Sequence, residues 1–156
     1  MDSILIRTLN GEKTNRPPVW FMRQAGRILP NYMQLKELYT FHELMNDKDL
    51  ASKVTLLPIQ DLNVDAAILF SDILVIPHAL GLDVEFKKTG PIFNNPLNFN
   101  SKAADLEFDS SKLNYIYNNI KQVQSDKNQN TPLIGFCGGP LTVFLFMFKR
   151  SEEHTS

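Results

Sequence analysis

Three short apolar runs limit what this chain can fold into more than any other feature: Val19-Trp20-Phe21-Met22, Ala66-Ala67-Ile68-Leu69-Phe70 and Leu133-Ile134-Gly135-Phe136. Each is four or five residues long and none alternates apolar with polar residues, so each reads as a strand buried on both faces. Strands of that kind lie in parallel sheets, and parallel strands need long crossovers, usually helical. The segments between the runs fit that demand. Residues 3–9 suit a short helix, residues 10–16 are turn-rich, and Pro30 can open a helix to Leu38 with Tyr32, Leu35 and Leu38 on one face. Asp47 is placed to cap a helix carrying Leu50, Val54, Leu57 and Leu62, which Pro58 is expected to kink or end early. Residues 73–80 form a segment that Gly81 terminates. Residues 84–87 alternate like a half-exposed strand, and residues 90–100, rich in Asn and Pro, read as a loop. Residues 111–127 carry Leu113, Ile116, Ile120 and Val123 at helical spacing, and an apolar helix begins at Thr142.

The expected class is therefore α/β. A (β/α)8 barrel needs roughly 250 residues, and the chain has 156. On the residues alone, a small open sheet and the first part of a barrel both remain possible. Residues 1–149 read as one domain. The last seven residues, from Arg150, are wholly polar and follow directly on Phe144-Leu145-Phe146-Met147-Phe148. Back-translated, they match a reading frame of a sequencing-library adapter, so residues 150–156 are expected to be a non-native tail; a natural polar tail is the alternative.

Each buried run is followed by a polar or glycine-rich cluster: Arg23-Gln24-Ala25-Gly26-Arg27, Ser71-Asp72 and Cys137-Gly138-Gly139-Pro140. Ligands of parallel α/β folds bind beyond the carboxyl ends of the strands, so the three clusters are expected to face one pocket. Arg23 and Arg27 stand four apart around small residues, as two guanidinium forks gripping carboxylates or phosphates would, although two solvated arginines paired with Glu12 or Glu37 fit equally well. Asp72 suits a helix cap on spacing alone. The turn at residues 137–140 lacks the lysine of a P-loop and the spacing of a dinucleotide fingerprint, and reads as a tight turn that lets a ligand or the next helix come close.

Charge and composition exclude some functions. The formal net charge of −1 gives no field that would recruit nucleic acid or an anionic membrane. Basic residues outnumber acids within residues 1–40 (Arg7, Lys13, Arg16, Arg23, Arg27 and Lys36 against Asp2, Glu12 and Glu37), which suits an anionic small molecule. Cys137 is the one cysteine, so no internal disulfide can form and a reducing compartment is the simpler reading. His42, His78 and His154 lack metal-ligand spacing. No apolar run is long enough to span a bilayer, and the first residues do not resemble a secretory signal, so a cytoplasmic protein is expected.

The stretch Arg16-Pro17-Pro18-Val19-Trp20-Phe21-Met22-Arg23-Gln24-Ala25-Gly26-Arg27 closely resembles the amino-terminal signature of the uroporphyrinogen decarboxylase family. Phe70-Ser71-Asp72-Ile73-Leu74 and Pro132-Leu133-Ile134-Gly135-Phe136-Cys137-Gly138 resemble two later blocks of that family, in the right order. The resemblance implies the first part of a (β/α)8 barrel from a family chain more than twice this length, usually a homodimer. It implies removal of the four acetate carboxyls of uroporphyrinogen, giving coproporphyrinogen in haem biosynthesis, without metal or organic cofactor. It assigns Arg23 and Arg27 to substrate carboxylates, with an arginine helping proton delivery, places Gln24, Ala25 and Gly26 along the same loop, and gives Asp72 the pyrrole N–H groups. Serine and histidine contacts of the family lie beyond the matched residues, so the chain alone is expected to be inactive. Four residues depart from the pattern: Leu141 replaces an aromatic, and Phe146 stands where the family has a tyrosine contacting substrate, which lowers the activity expected. Ile28 and Asn31 replace the usual Tyr and Glu around Leu29-Pro30. A cobalamin-linked barrel methyltransferase and a non-catalytic tetrapyrrole- or polyanion-binding protein are the competing readings.

Overall fold

A computed structural model describes residues 3–20, 26–87 and 90–148. Phe21 to Ala25, which end the first apolar run and begin the arginine cluster, lie outside the described residues, as does the tail at 150–156. In chain order the elements are helices α1 (Ile4–Leu9), α2 (Pro30–Leu38), α3 (Phe41–Asn46) and α4 (Lys48–Leu62), strand β1 (Ala67–Ile68), helix α5 (Val75–Ala79), strands β2 (Val84–Lys87) and β3 (Gly90–Phe93), helix α6 (Asn114–Asp126), strand β4 (Leu133–Ile134) and helix α7 (Pro140–Met147). They fall into two compact units: Met1–Ser71 with Tyr115–Phe136, and Asp72–Asn114 with Cys137–Ser156.

In the first unit β1 and β4 pair in parallel, Ala67 opposite Leu133 and Ile68 opposite Ile134, the pairing expected for two of the apolar runs. The ladder is shorter than the runs, and is extended by Ala67 N to Pro132 O and Leu69 N to Ile134 O, each 3.0 Å. The run at 19–22 is described only through Val19 and Trp20, which lie in no strand. Val19 instead exchanges bonds with Asp65: Asp65 N donates to Val19 O and Val19 N donates to Asp65 Oδ2, both 2.7 Å.

The helices of this unit begin where caps allow. The Ser3 hydroxyl accepts from Ile6 N, and Asp47 Oδ1 accepts from Asp49 N and Leu50 N. Thr40 and Glu43 form a reciprocal capping box that starts α3, a helix absent from the expected elements. Helix α4 continues four residues beyond Pro58, to Leu62, so the expected early end does not occur. Proline gives up one backbone bond, and Pro58 is fully buried, so packing offsets the loss. Asn63 closes the helix with φ 52°. The buried face is Ala51, Val54, Thr55, Leu57 and Pro58 with Ser52, while Leu62, expected there, is exposed.

A buried hydroxyl joins α4 to β1. Thr55 Oγ1 donates to Ala51 O at 2.7 Å and accepts from Phe70 N at 2.9 Å. The Phe70 ring meets Phe41 and Tyr32 edge-on, with centroids 5.3 and 6.1 Å apart. Helix α6, preceded by a 3-10 turn at Ser110–Leu113, is held to α3 and α4 by polar clamps: Asn119 Nδ2 donates to Met45 O (2.7 Å), and the Ser52 hydroxyl donates to Asp126 (2.7 Å). Asn119 is fully buried, and its Oδ1 has no partner among the described residues.

In the second unit α5 ends at Gly81, whose φ of +91° is open to glycine at no steric cost. Residues 90–93, expected as loop, form β3, antiparallel to β2 with Val84 opposite Phe93 and Lys87 opposite Gly90. Pro91 is tolerated because the two-stranded ribbon leaves each strand an edge. The asparagines that follow, in the loop as expected, secure the far end of the ribbon: Asn95 Oδ1 accepts from Asp83 N, and Asn94 Nδ2 donates to Asp83 Oδ2. Leu82, Val143 and Met147 form the core, with Leu80, Phe93, Leu97 and Leu106 packed around them.

Replacing Thr55 by Val keeps its shape but strips the Phe70 amide of its acceptor. Urea unfolding should show a loss of about 1–3 kcal/mol, with Thr55→Ser near the parent; an unchanged midpoint for Val would remove the hydroxyl from this account.

Candidate functional site

The described part of the arginine cluster is a turn. Leu29 N donates to Gly26 O at 3.0 Å, Arg27 is exposed within the turn, and buried Leu29 and then Pro30 lead into α2. Arg27 makes no ion pair among the described residues, whereas Arg7 and Arg16 are engaged. Arg7 pairs with Glu12 at 2.9 Å, so Glu12 is engaged by an arginine outside the cluster. Arg16 grips Asp65 with both terminal nitrogens, 2.6 Å to Oδ2 and 2.7 Å to Oδ1. The Asp65 side chain is 12% exposed, and the Arg16 hydrogen bond holds its carboxyl below the usual range, with help from Val19 N.

Asp65 was not anticipated from sequence, yet it fixes the segment from which the arginine cluster departs. The available signal was positional: Arg16 lies just before the first apolar run and Asp65 just before the second, and the Val19–Asp65 bonds bring the two starts together. Acid should release this clamp. A carboxyl with a depressed pKa stabilises above its unfolded value and loses that contribution as pH falls through the folded value. Amide exchange at Val19 should therefore stay slow to a lower pH than an unpaired aspartate allows, and Asp65→Ala should abolish the protection at neutral pH. Equal exchange in parent and variant would refute the clamp.

Asp72 opens the second unit. Its Oδ1 accepts from Leu74 N at 2.6 Å, closing a turn ahead of α5; the expected helix cap is not formed, because α5 is headed by buried Leu74 with no side chain capping it. The carboxyl is partly buried, and burial pushes its pKa up, opposed by the Leu74 hydrogen bond. That backbone bond is the one hydrogen bond the carboxylate takes among the described residues. It is an acid carrying a desolvation cost with acceptor capacity to spare, so donors or a cation brought to it would be bound and would favour its charged form.

Phe146 lies on α7, 42% exposed, and Leu141 on the same helix is 70% exposed. Cys137 is exposed, and His42 is hydrogen-bonded to Asn46. Among the described residues no group of three His, Cys, Asp or Glu could hold a metal ion, and no helix is long and apolar enough to cross a membrane. Gly26 and Arg27 belong to the first unit, Asp72 and Phe146 to the second, and Arg23, Gln24 and Ala25 lie outside the described residues.

Comparison with known proteins agrees with the residues that suggested a family. The family model described as uroporphyrinogen decarboxylase (URO-D) matches residues 2–156. A uroporphyrinogen decarboxylase of Christiangramia forsetii is 42% identical over 157 residues, covering 99% of this chain and 46% of that protein. One from Campylobacter jejuni is 46% identical over 138 residues, covering 86% of this chain and 41% of its own, and one from Protochlamydia amoebophila is 44% identical over 151 residues, covering 93% and 40%. The chain thus spans less than half the length of these relatives. Among solved structures, a methyltransferase from Methanosarcina mazei superposes with a TM-score of 0.68 over 95% of this chain and 46% of its own, at 18% identity. That likeness is one of fold and carries no methyltransferase chemistry with it. The parallel β1–β4 pair and its helices are a partial (β/α)8 barrel, and the chain belongs to the uroporphyrinogen decarboxylase family.

Proposed function

We propose that these residues supply the arginine loop and the acidic floor of the substrate cavity in a cofactor-free decarboxylase that converts uroporphyrinogen III to coproporphyrinogen III. The observation that carries the reading is Asp72: a partly buried carboxylate, raised in pKa, with its one described hydrogen bond coming from Leu74 N. Four pyrrole N–H groups pointing into the centre of a macrocycle are the donors such a carboxylate lacks. Arg27, exposed and outside every described ion pair, is free to take a side-chain carboxylate of the same ligand, with Arg23 beside it in sequence and Gln24, Ala25 and Gly26 along the loop.

The chemistry uses both charges. Protonation of a pyrrole ring creates a cation into which the electrons of the breaking C–C bond flow as CO2 leaves. A second proton transfer delivers hydrogen to the exocyclic carbon as the ring proton is lost, so each acetate becomes a methyl group and one proton is consumed overall. An ionised Asp72 beside the cation lowers the barrier electrostatically, and the arginines hold the remaining carboxylates so that one acetate at a time is correctly placed. Phe146 keeps the apolar surface of the family's tyrosine and loses its hydroxyl. That loss also favours a second reading, a tetrapyrrole binder without turnover. The resemblance further supports a cytoplasmic homodimer acting on a small molecule, with no role for nucleic acid or membrane.

The test is a hybrid enzyme in which residues 1–148 are continued by the remaining length of the Christiangramia forsetii relative, assayed for coproporphyrinogen. Asp72→Asn should keep the turn hydrogen bond from Leu74 N and lower kcat by about a thousandfold, roughly 4 kcal/mol. Because burial disfavours the charged form, the uncharged Asn should leave stability at pH 7 unchanged or higher. Phe146→Tyr should raise kcat/KM by about fivefold or more, the return of one hydrogen bond. A hybrid that binds uroporphyrinogen without releasing CO2 supports the binder. An Asp72→Asn variant within threefold of the parent rate sinks the role given to Asp72.

A further inference from the structure

The glycine-rich turn that precedes α7 supplies none of the proposed substrate contacts. Of its glycines, Gly139 would tolerate a Cβ, whose nearest neighbour is Thr142 Oγ1 at 3.7 Å, and Gly135 would have nothing within 4 Å. Gly138 differs. A Cβ there would overlap Cγ2 of Val143 on one side and stand 3.2 Å from Cβ and 3.7 Å from Cδ1 of Ile73 on the other. Neither neighbour yields easily. Val143 is β-branched and packed in the core with Leu82 and Met147, so its rotamer is restricted. The Cβ of Ile73 moves only with its backbone. Ile73 sits between Asp72 and Leu74, whose amide holds the Asp72 carboxylate.

We propose that Gly138 is a positioning residue for Asp72: its missing side chain lets the 137–140 turn press Ile73 into the one place where Leu74 N and the Asp72 carboxylate meet. The proposal rests on the catalytic reading of Asp72 and adds to it a residue that touches no substrate. Alanine at 138 must displace Ile73 or the first turn of α7, and a displacement of Ile73 swings the carboxylate away from the reacting ring and opens it to water.

The experiment uses the same hybrid enzyme. Gly138→Ala should lower kcat about 10- to 100-fold, the scale of a misplacement near 1 Å, with KM within threefold. The acid limb of the pH–rate profile reports the ionisation of Asp72, which burial raises, so admitting water should move that limb to lower pH; a general loss of folded enzyme would scale the profile without moving it. Adding Val143→Ala makes room on the other side, and the double variant should recover kcat and the limb to near the values of Val143→Ala alone. Gly139→Ala should behave as the parent. Gly138→Ala with parental kcat and an unmoved limb, or a defect that Val143→Ala fails to reverse, overturns the proposal while leaving Asp72 catalytic. An active Asp72→Asn sinks the reading of Asp72 and the positioning role with it.

Discussion

A single buried hydroxyl decides where the chain leaves its parallel strand. Thr55 bridges Ala51 O of α4 and the Phe70 amide, so β1 ends against a helix at a fixed point, with the Phe70 ring seated between Tyr32 and Phe41. Asp72 is two residues further on. The order of causes runs from an apolar run that must be buried on both faces, to a strand end with one amide left to satisfy, to a helix hydroxyl that satisfies it.

Charge is distributed to the same end. The basic surplus near the amino terminus looks like one feature in the sequence, but it divides in two. Arg7 and Arg16 are structural, neutralised by Glu12 and Asp65, and Arg16 works with Asp65 to hold the approach to the arginine cluster. Arg27 is left exposed in its turn. An arginine already paired has little to offer a substrate carboxylate, so this division separates scaffold from recognition more clearly than the count of basic residues does.

Much of the fold was legible because it rests on local chemistry. Caps at Ser3 and Asp47 and proline at the head of α2 place helices α1, α2 and α4 where the sequence predicts them, and the 84–87 alternation marks β2 to the residue. The misses have physical reasons. Helix α3 is a single capping box, Thr40 with Glu43, too short to show periodicity. Residues 90–93 pair as a strand because their partner lies three residues upstream, and the Asn and Pro content hid this. Pro58 was expected to kink α4 or end it early, and the helix runs on to Leu62 with Pro58 buried inside it. At the site, Asp72 was expected as a helix cap, but it closes a turn onto Leu74 N ahead of α5, and its proposed role came from the resemblance alone. The Asp65 clamp and the squeeze at Gly138 depend on residues far apart in sequence, which no local pattern reports.

The proposed function needs Arg27 and Asp72 to serve one ligand, the arginine at its carboxylates and the aspartate at its nitrogens. A crystal structure of the hybrid enzyme with coproporphyrinogen bound tests it most directly. The account predicts an Asp72 oxygen within about 3 Å of pyrrole nitrogens and the Arg27 guanidinium on a carboxylate of the same molecule. A bound macrocycle whose nitrogens face away from Asp72, or an Arg27 pointing to solvent on the opposite side, would contradict it.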